Sequence, residues 1–303
     1  MGALSFTVTT TSAWDTKNTA TSGAFNATRD NLLNLFASSL APLLSVNVPI
    51  LFDFGTTGLG ESFGDNSTRD YSVLQPALLA LAPNNTVQAS AYTLALLPNV
   101  EPADFQIGSS TFILIRRPLL AALGISPGTL AQNSVVISNS ASLDYTHTDG
   151  LLCSGSTYSL WAVLAHEVSE VLGRLSNVGQ QSSGSFGAST LDMFTWASAG
   201  TRNCTNSGAR YLSADGGTTH IYSGVNFNNS GPDDYGDLSA SLGAFNAVGS
   251  SGVAFAVVGG ASGSTLKAAD WQFMTLIGWP LTVAGSIAAG LSSATRGLMQ
   301  LGH

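Results

Sequence analysis

Residues 165–174 have the sequence AHEVSEVLGR and lie in the clearest helix that the sequence predicts, residues 156–176. Ser156 or Thr157 can cap this helix, because a side-chain hydroxyl accepts a hydrogen bond from a main-chain N–H group of the first turn. Apolar side chains recur every three or four residues and form one stripe, which is typical of a helix packed on a core: Trp161, Leu164, Val168, Val171, Leu172 and Leu175. The segment therefore predicts a half-buried helix at the centre of the fold.

The polar residues of this helix could carry chemistry. Residues four apart share one face of an α-helix, so His166 and Glu170 point the same way. An imidazole and a carboxylate placed in this way can hold one divalent ion, and Zn²⁺ accepts both ligand types. Glu167, one residue further round the helix, could deprotonate a water beside the ion without being a ligand itself.

The same group could instead be an ordinary solvated face, because charged side chains of amphipathic helices mostly lie at the surface. The chain has only 18 acidic residues and 4 histidines, yet two carboxylates and one imidazole fall within this short segment. Their immediate neighbours are apolar, which indicates a position close to buried surface. The pattern therefore favours a metal or catalytic role over a surface role.

The rest of the chain predicts strands and helices in an α+β order. In the N-terminal half, apolar alternation predicts strands at 4–9, 46–54, 111–115 and 134–137, and helical spacing predicts helices at 25–44, 72–81 and 119–123. Pro49 suggests that the second strand is an edge strand or has a bulge. The Gly-rich, polar residues 55–68 are predicted to form a loop.

Beyond the central helix the pattern is less regular. It predicts a loop at 180–187, a short helix at 191–199, turns and short strands over 201–263, and a last helix at 266–277. We therefore predict an α+β fold with a mixed N-terminal sheet and an irregular C-terminal half. The N-terminal half, residues 1–179, would carry the central helix, residues 180–280 would close a cleft over it, and residues 281–303 would form a tail.

Composition excludes several classes of partner. The net charge is −8, and no basic patch is present, which argues against nucleic acid as a ligand. Charged residues make up only 9% of the chain, but 44% of residues are hydrophobic, which is enough to build a core. No apolar run reaches ~18 residues, so no membrane span is predicted. The N-terminus has no basic start and no apolar stretch of the kind found in a secretory signal.

The two cysteines, Cys153 and Cys204, flank the same central segment of the chain. A bridge between them would suit a protein that works outside the cytosol, whereas two separate buried thiols would suit one inside it. We expect the bridge, with the two Cα atoms within ~7 Å of each other.

The central helix resembles the zincin metalloprotease motif, HExxHxxGxxH in its metzincin form, with His166, Glu167 and Gly173 matching. It is most similar to a group of predicted bacterial extracellular metalloproteases that carry an HEISEVMGR-like helix. Other segments occur in the order of that group: LDMF at 191–194, YLSADGGT at 211–218, YGDL at 235–238 and IGW at 277–279. The resemblance covers about residues 3–280 and implies a zincin-like fold.

This sequence departs from the motif at two ligand positions. Glu170 replaces the second histidine, and Ser176 occupies the position of the third. Asp192 is the best candidate for the third ligand, since its offset is similar to that of the second-helix carboxylate of gluzincins, although an Asp at a helix N-terminus is also favoured by the helix dipole alone. The alternatives are His147 and His220, both in segments that can equally be plain turns.

The resemblance implies a zinc-dependent peptidase that hydrolyses peptide bonds through a water activated by the metal, with Glu167 as general base and a protein or peptide as substrate. It also implies that Met274 could form an apolar floor beneath the ion. The altered ligand set leaves a second interpretation open, a zincin-like structural subunit with little or no activity in an extracellular or virion assembly. Residues 283–303 extend past the last shared segment, so we expect them to mediate self-association or contact an assembly partner.

Overall fold

The chain forms an α+β structure with a mixed sheet and several helices. The computed structural model describes residues 1–56, 58–93, 95–99, 101–103, 112–145, 157–178, 187–228, 235–239 and 268–288. In chain order its strands are β1 (Leu4–Thr10), β2 (Val46–Thr56), β3 (Gly60–Phe63), β4 (Asn66–Asp70), β5 (Phe112–Arg116), β6 (Asn133–Ser138), β7 (Leu143–Asp144), β8 (Tyr158–Ser159), β9 (Thr195–Ser198), β10 (Thr201–Arg202) and β11 (Tyr211–Leu212). The α-helices are α1 (Ser12–Ala20), α2 (Ala24–Ser39), α3 (Tyr71–Leu81), α4 (Thr86–Ala91), α5 (Arg117–Ala122), α6 (Leu160–Val171), α7 (Ala268–Ile277) and α8 (Val283–Ala288), and 3-10 turns span Ala82–Asn84 and Asp192–Phe194.

The largest sheet has the strand order β1-β2-β6-β3. Strands β1, β2 and β6 are parallel, whereas β3 runs antiparallel to β6 and is the last strand of the sheet among the described residues. A mixed N-terminal sheet was predicted, and the structure confirms it. The short antiparallel strand β3 falls in residues 55–68, which were predicted to form a loop, and this prediction was wrong.

The two faces of this sheet differ in burial. One face is mostly apolar and packs on the core, and its fully buried side chains include Val48, Ile50, Phe52, Val135 and Ile137. The other face carries exposed hydroxyl side chains on β1, namely Ser5, Thr7 and Thr9. Helices α2 and α6 contact each other and the sheet, with α2 against β1 and α6 against β6 and β3. This packing brings α6 beside the edge strand β3.

Helix α2 buries Phe25, Leu32, Leu33 and Phe36, in agreement with the predicted helical spacing. It ends at Ser39, earlier than the predicted residue 44, because the chain beyond it pairs with the C-terminal segment. Leu40 forms an antiparallel bridge with Leu281, and the Ala41 N–H donates to the Pro280 carbonyl over 2.8 Å. Tertiary pairing, not local propensity, therefore sets this boundary.

The C-terminal half returns to the N-terminal half and shares its core. Trp271 of α7 packs edge-on against Phe36 of α2, with ring centroids 5.8 Å apart. The indole N–H of Trp279 donates to the carbonyl of Leu172 over 2.8 Å, at the end of α6. One cluster of buried apolar side chains contains all four residues. The predicted boundary at residues 179 and 180 lies outside the described residues.

Two local predictions differ from the structure for identifiable reasons. Pro49 was expected to mark an edge or a bulge; β2 lies between β1 and β6, and its register shift falls between Phe54 and Thr56, not at Pro49. Pairing with β6 begins only at Ile50, so β2 is paired with β1 alone at Pro49, where the missing N–H is tolerated. The helix predicted at 191–199 is a 3-10 turn followed by β9, because Thr195 and Trp196 pair with β11.

The tail begins by docking on its own chain. The Thr282 N–H donates to the Ser39 carbonyl over 2.8 Å, and α8 packs against the end of α2. Residues 289–303 lie outside the described part of the chain, so the expected assembly contact of 283–303 stays a prediction for that portion. Within the described ranges, no helix is long and apolar enough to cross a membrane.

Candidate metal centre

Helix α6 places the three polar residues that the sequence singled out. Its N-cap is Ser159, whose hydroxyl accepts from the Ala162 N–H, so the helix starts later than the predicted residue 156. Every residue from Leu160 to Val171 is buried, including His166, Glu167 and Glu170. The solvated-face alternative is therefore wrong. A buried imidazole beside two buried carboxylates needs specific partners.

The end of α6 is a glycine-dependent turn. Gly173 has φ +119°, a conformation that favours glycine, and a Cβ there would lie 2.8 Å from Leu119 Cδ2. The Gly173 N–H donates to the Glu170 carbonyl and the Arg174 N–H to the Ser169 carbonyl, the two hydrogen bonds of a Schellman motif. This turn directs the Arg174 side chain back along the helix.

Three side chains converge beside α6. The Nε2 atom of His166 lies 3.2 Å from Glu170 Oε1 and 3.1 Å from Asp237 Oδ1. Among the described residues, His166, Glu170 and Asp237 form a group whose possible ligand atoms all lie within 4.8 Å of one another. All three residues are buried. The third member was not predicted as a ligand, although Asp237 belongs to the segment YGDL that carries the resemblance.

Main-chain pairing brings Asp237 to the helix. The Asn228 N–H donates to the Asp237 carbonyl over 2.7 Å, and Phe227 forms an antiparallel bridge with Leu238. These contacts hold residues 235–239 beside residues 226–228. The segment thus presents a carboxylate to a helix far away in sequence.

Arg174 joins both carboxylates of the group. Its side chain is fully buried, and its guanidinium lies 2.8 Å from Glu170 Oε1 and 2.6 Å from Asp237 Oδ1. It also donates to the Gly236 carbonyl over 3.1 Å and, through Nε, to the Ser169 hydroxyl over 2.8 Å. One planar cation therefore fixes the relative position of Glu170 and Asp237.

Strand β3 forms the other wall of the site. The Ser62 hydroxyl donates to Glu170 Oε2 over 2.6 Å. Gly60 lies directly against Glu167, since a Cβ on Gly60 would be 2.5 Å from Glu167 Oε1 and 2.9 Å from its Cγ. No hydrogen bond from within the described ranges reaches the Glu167 carboxylate, in contrast to Glu170.

Electrostatics separate the two glutamates. Burial, and then the neighbouring charge of Glu170, raise the pKa of Glu167 well above its ordinary value. Burial would by itself also raise the pKa of Glu170, but Arg174 and the hydrogen bond with His166 outweigh it and lower that pKa to about 2. Burial opposes protonation of His166, yet Asp237 and Glu170 raise its pKa well above the ordinary value.

Asp192, which the sequence predicted as the third ligand, does not join the group of His166, Glu170 and Asp237. Its carboxylate accepts from the Ser176 hydroxyl over 2.6 Å, from the Asn177 N–H over 2.9 Å and from the Ser189 N–H over 2.8 Å. Arg210 lies 3.4 Å away. Both oxygens are thus engaged in holding the loop after α6, which is a structural role.

The other candidates lie elsewhere. His220 stacks on Tyr211 with ring centroids 3.5 Å apart and is not part of the group, so it is not the third ligand in this structure. His147 and Cys153 lie outside the described residues, so their predicted roles stay predictions. Cys204 is buried, with Sγ 3.3 Å from the Asp192 carbonyl. Met274 is buried on α7 in the core, and its place beneath an ion stays a prediction.

The donor set fits a metal ion. Ligand atoms around a tetrahedral zinc at about 2.0–2.2 Å are roughly 3.3–3.6 Å apart. The two distances from His166 Nε2, 3.2 Å to Glu170 and 3.1 Å to Asp237, are within a few tenths of an ångström of that spacing. A carboxylate oxygen has two lone pairs, so Glu170 Oε1 and Asp237 Oδ1 can each serve Arg174 and an ion together. The residues present could hold a divalent ion.

No family model, curated protein or solved structure matches this chain.

Proposed function

We propose that the protein is a zinc-dependent hydrolase of peptide bonds with a zincin-like active site. The observation that carries the proposal is the buried group of His166, Glu170 and Asp237, whose possible ligand atoms lie within 4.8 Å of one another. One imidazole and two carboxylates are ligands that Zn²⁺ accepts. Glu167 lies on the same helix, next to the first ligand and against the edge strand.

Each residue would have a distinct task. Zinc, when bound, would polarise the scissile carbonyl and acidify the attacking water. Glu167 would take the proton from that water and deliver it to the leaving amine, which suits a carboxyl whose pKa is raised by burial. His166, Glu170 and Asp237 would hold the ion, and Ser62 would fix the second oxygen of Glu170.

The proposal that the substrate is a peptide rests on β3 as well as on the resemblance. Strand β3 is the last strand of the sheet within the described part of the chain, and its residues Gly60 and Ser62 contact Glu167 and Glu170. An extended peptide can add to the edge of a sheet through main-chain hydrogen bonds. A peptide placed along β3 would bring a carbonyl group next to the proposed site. A small ester or a sugar has no main chain that could pair with the strand in this way.

The test combines metal content with peptidase activity. In the purified full-length protein we expect one zinc per chain by elemental analysis and cleavage of fluorescently labelled casein. His166→Ala should lose the metal, whereas Glu167→Gln should keep it and lose at least about 100-fold in rate, the usual scale of general acid–base catalysis. Absence of stoichiometric metal, or a Glu167→Gln variant as active as the parent, would refute the proposal.

One observation favours a second candidate, an inactive zincin-like subunit of an extracellular or virion assembly. Arg174 ion-pairs with both Glu170 and Asp237, and His166 contacts both carboxylates, so the group can be electrically balanced without an ion. In that case the protein would purify without metal and would unfold at the same temperature with and without added zinc. Binding of zinc by the native state would raise that temperature instead.

A further inference from the structure

We infer that Arg174 is a positioning residue that holds Asp237 in the metal-ligand group. The inference rests on the proposed function, because it assumes that His166, Glu170 and Asp237 bind an ion. It concerns a residue that would not touch the ion, since a guanidinium has no acceptor atom and cannot be a ligand.

The two proposed carboxylate ligands come from different parts of the chain. Glu170 belongs to α6, whereas Asp237 belongs to the separate segment 235–239. Main-chain pairing with residues 226–228 places this segment, but that pairing fixes only its backbone. The side chain of Asp237 still needs a partner that is fixed relative to α6.

Arg174 supplies that partner. Its guanidinium lies 2.6 Å from Asp237 Oδ1 and 2.8 Å from Glu170 Oε1, and it donates to the Gly236 carbonyl over 3.1 Å. The same two oxygens are those that face His166 Nε2. A rigid, planar fork that binds two carboxylates and a main-chain carbonyl sets their separation. The positions of both ligand oxygens therefore depend on one side chain.

Arg174 is itself fixed by the end of the helix. The left-handed turn at Gly173 directs it back along α6, and its Nε donates to the Ser169 hydroxyl over 2.8 Å. That hydroxyl in turn donates to the carbonyl of His166 over 2.6 Å. The side chain has no exposed surface and hence little freedom to choose another conformation.

Charge has an opposing effect that the test must separate. Arg174 is a cation close to a site for a dication, so its removal also relieves a repulsion, and the net change in affinity could have either sign. A positioning role and a charge role differ in how the variants combine. If Arg174 only contributes charge, Asp237→Asn weakens Zn²⁺ binding by the same factor whether or not Arg174 is present. If Arg174 positions Asp237, Asp237→Asn no longer weakens Zn²⁺ binding once Arg174 has been replaced.

The experiment is a double-mutant cycle on the full-length protein, with the dissociation constant for Zn²⁺ and the visible spectrum of bound Co²⁺ as readouts. We expect Asp237→Asn to weaken Zn²⁺ binding by about tenfold or more in the parent. In the Arg174→Gln background, Asp237→Asn should weaken Zn²⁺ binding by less than about twofold. The Co²⁺ spectra of Arg174→Gln and of the double variant should be alike, since neither would have Asp237 as a ligand.

Three further variants complete the design. Arg174→Lys keeps the charge but not the planar fork, so it should behave like Arg174→Gln. Arg116→Gln is the matched control, because Arg116 is also buried beside α6 but donates to the main-chain carbonyl of Glu170 over 3.2 Å. In the Arg116→Gln background, Asp237→Asn should weaken Zn²⁺ binding by the same factor as in the parent protein. If the Arg174 variants do not fold, Ser169→Ala should take their place in the cycle and reduce the effect of Asp237→Asn, because it removes the hydroxyl that anchors Arg174 Nε to the His166 carbonyl and keeps the guanidinium itself.

The outcomes distinguish this inference from the proposed function. If the parent protein binds no Zn²⁺, the proposed function fails and the inference fails with it. If the parent binds Zn²⁺ but Asp237→Asn has the same cost with and without Arg174, the inference alone is overturned and the metal site stands.

Discussion

The Ser62 hydroxyl donates to Glu170 Oε2 over 2.6 Å, and this bond joins the edge strand β3 to helix α6. The other oxygen of Glu170 faces His166 and Arg174. Both oxygens of this buried carboxylate thus have polar partners: Oε2 has one on β3, and Oε1 has two on or just after α6. Hydrogen bonds to an ionised group are stronger than those between neutral groups.

Replacing Ser62 with Ala should lower the free energy of unfolding by about 1–3 kcal/mol, because Glu170 Oε2 would be left without its donor. The measurement is urea unfolding of the metal-free protein. Ser38→Ala is the control, since Ser38 is exposed and its hydroxyl donates only to the Leu35 carbonyl within its own helix. A Ser62→Ala variant as stable as the control would show that the bond to Glu170 contributes nothing.

Gly60→Ala should impair catalysis more than metal binding. The added Cβ would lie 2.5 Å from Glu167 Oε1, so the proposed general base must move. A misplacement of about 1 Å can cost on the order of 100-fold in rate, so we expect at least a tenfold fall in peptidase activity with zinc content unchanged. Gly58→Ala is the matched control, because its nearest neighbour would be 3.6 Å away, and its activity should be parental. Equal activities of the two variants would contradict the placement of Glu167.

The candidate site divides into a part that the sequence predicts and a part that it does not. His166, Glu167 and Glu170 were predicted because the spacing of residues on one helix decides which side chains share a face. Gly60 and Ser62 were missed because β3 lacks an apolar alternation. As an edge strand it is held by pairing with β6, and Gly60 is needed there only because Glu167 is next to it.

The choice between Asp192 and Asp237 shows the same limit. Both aspartates follow the helix in segments that support the resemblance, and nothing local to either one distinguishes a ligand from a structural carboxylate. The distinction depends on tertiary partners, namely Ser176 and Arg210 for Asp192, and His166 and Arg174 for Asp237. The α+β class was predictable from periodicity, whereas long-range packing decides which aspartate joins His166 and Glu170.

Asp192→Ala should destabilise the protein without emptying the metal site. It would remove the acceptor for Ser176, Asn177 and Ser189 and break the ion pair between Asp192 and the fully buried Arg210. Breaking a buried pair by removing one partner costs about 3–5 kcal/mol. We expect a loss of that size in denaturant unfolding, with one zinc per chain in the folded fraction. Asp237→Asn should instead lower the zinc content, and loss of zinc from a folded Asp192→Ala variant would restore Asp192 as a ligand candidate.

The docking of α8 predicts a steric test at Gly285. A Cβ there would collide with the main-chain oxygen of Ser39, because α8 packs closely on the end of α2. Gly285→Val should therefore release α8 and increase amide hydrogen exchange at residues 283–288. Ala284→Val is the control, since Ala284 is exposed, and it should leave exchange at the parental rate. Equal protection in the two variants would mean that α8 does not rest on α2 in solution.

Zinc binding should release protons and weaken as the pH falls. Asp237 and Glu170 raise the pKa of His166 well above its ordinary value, so the metal-free site holds a proton on His166 that the ion must displace. Below that pKa each unit of pH should weaken binding by up to about tenfold. The same shift means that protonated His166 stabilises the metal-free protein at any pH below the pKa that it has in the unfolded chain. This contribution is lost as the pH rises through the pKa that it has in the folded protein.

Calorimetric titration with zinc in two buffers of different ionisation enthalpy measures the protons released, which should number at least about one per ion. An Asp237→Asn variant should release fewer, because His166 loses a partner that favours its protonated form, and a parent protein whose zinc affinity does not change between pH 6 and pH 8 would contradict the prediction.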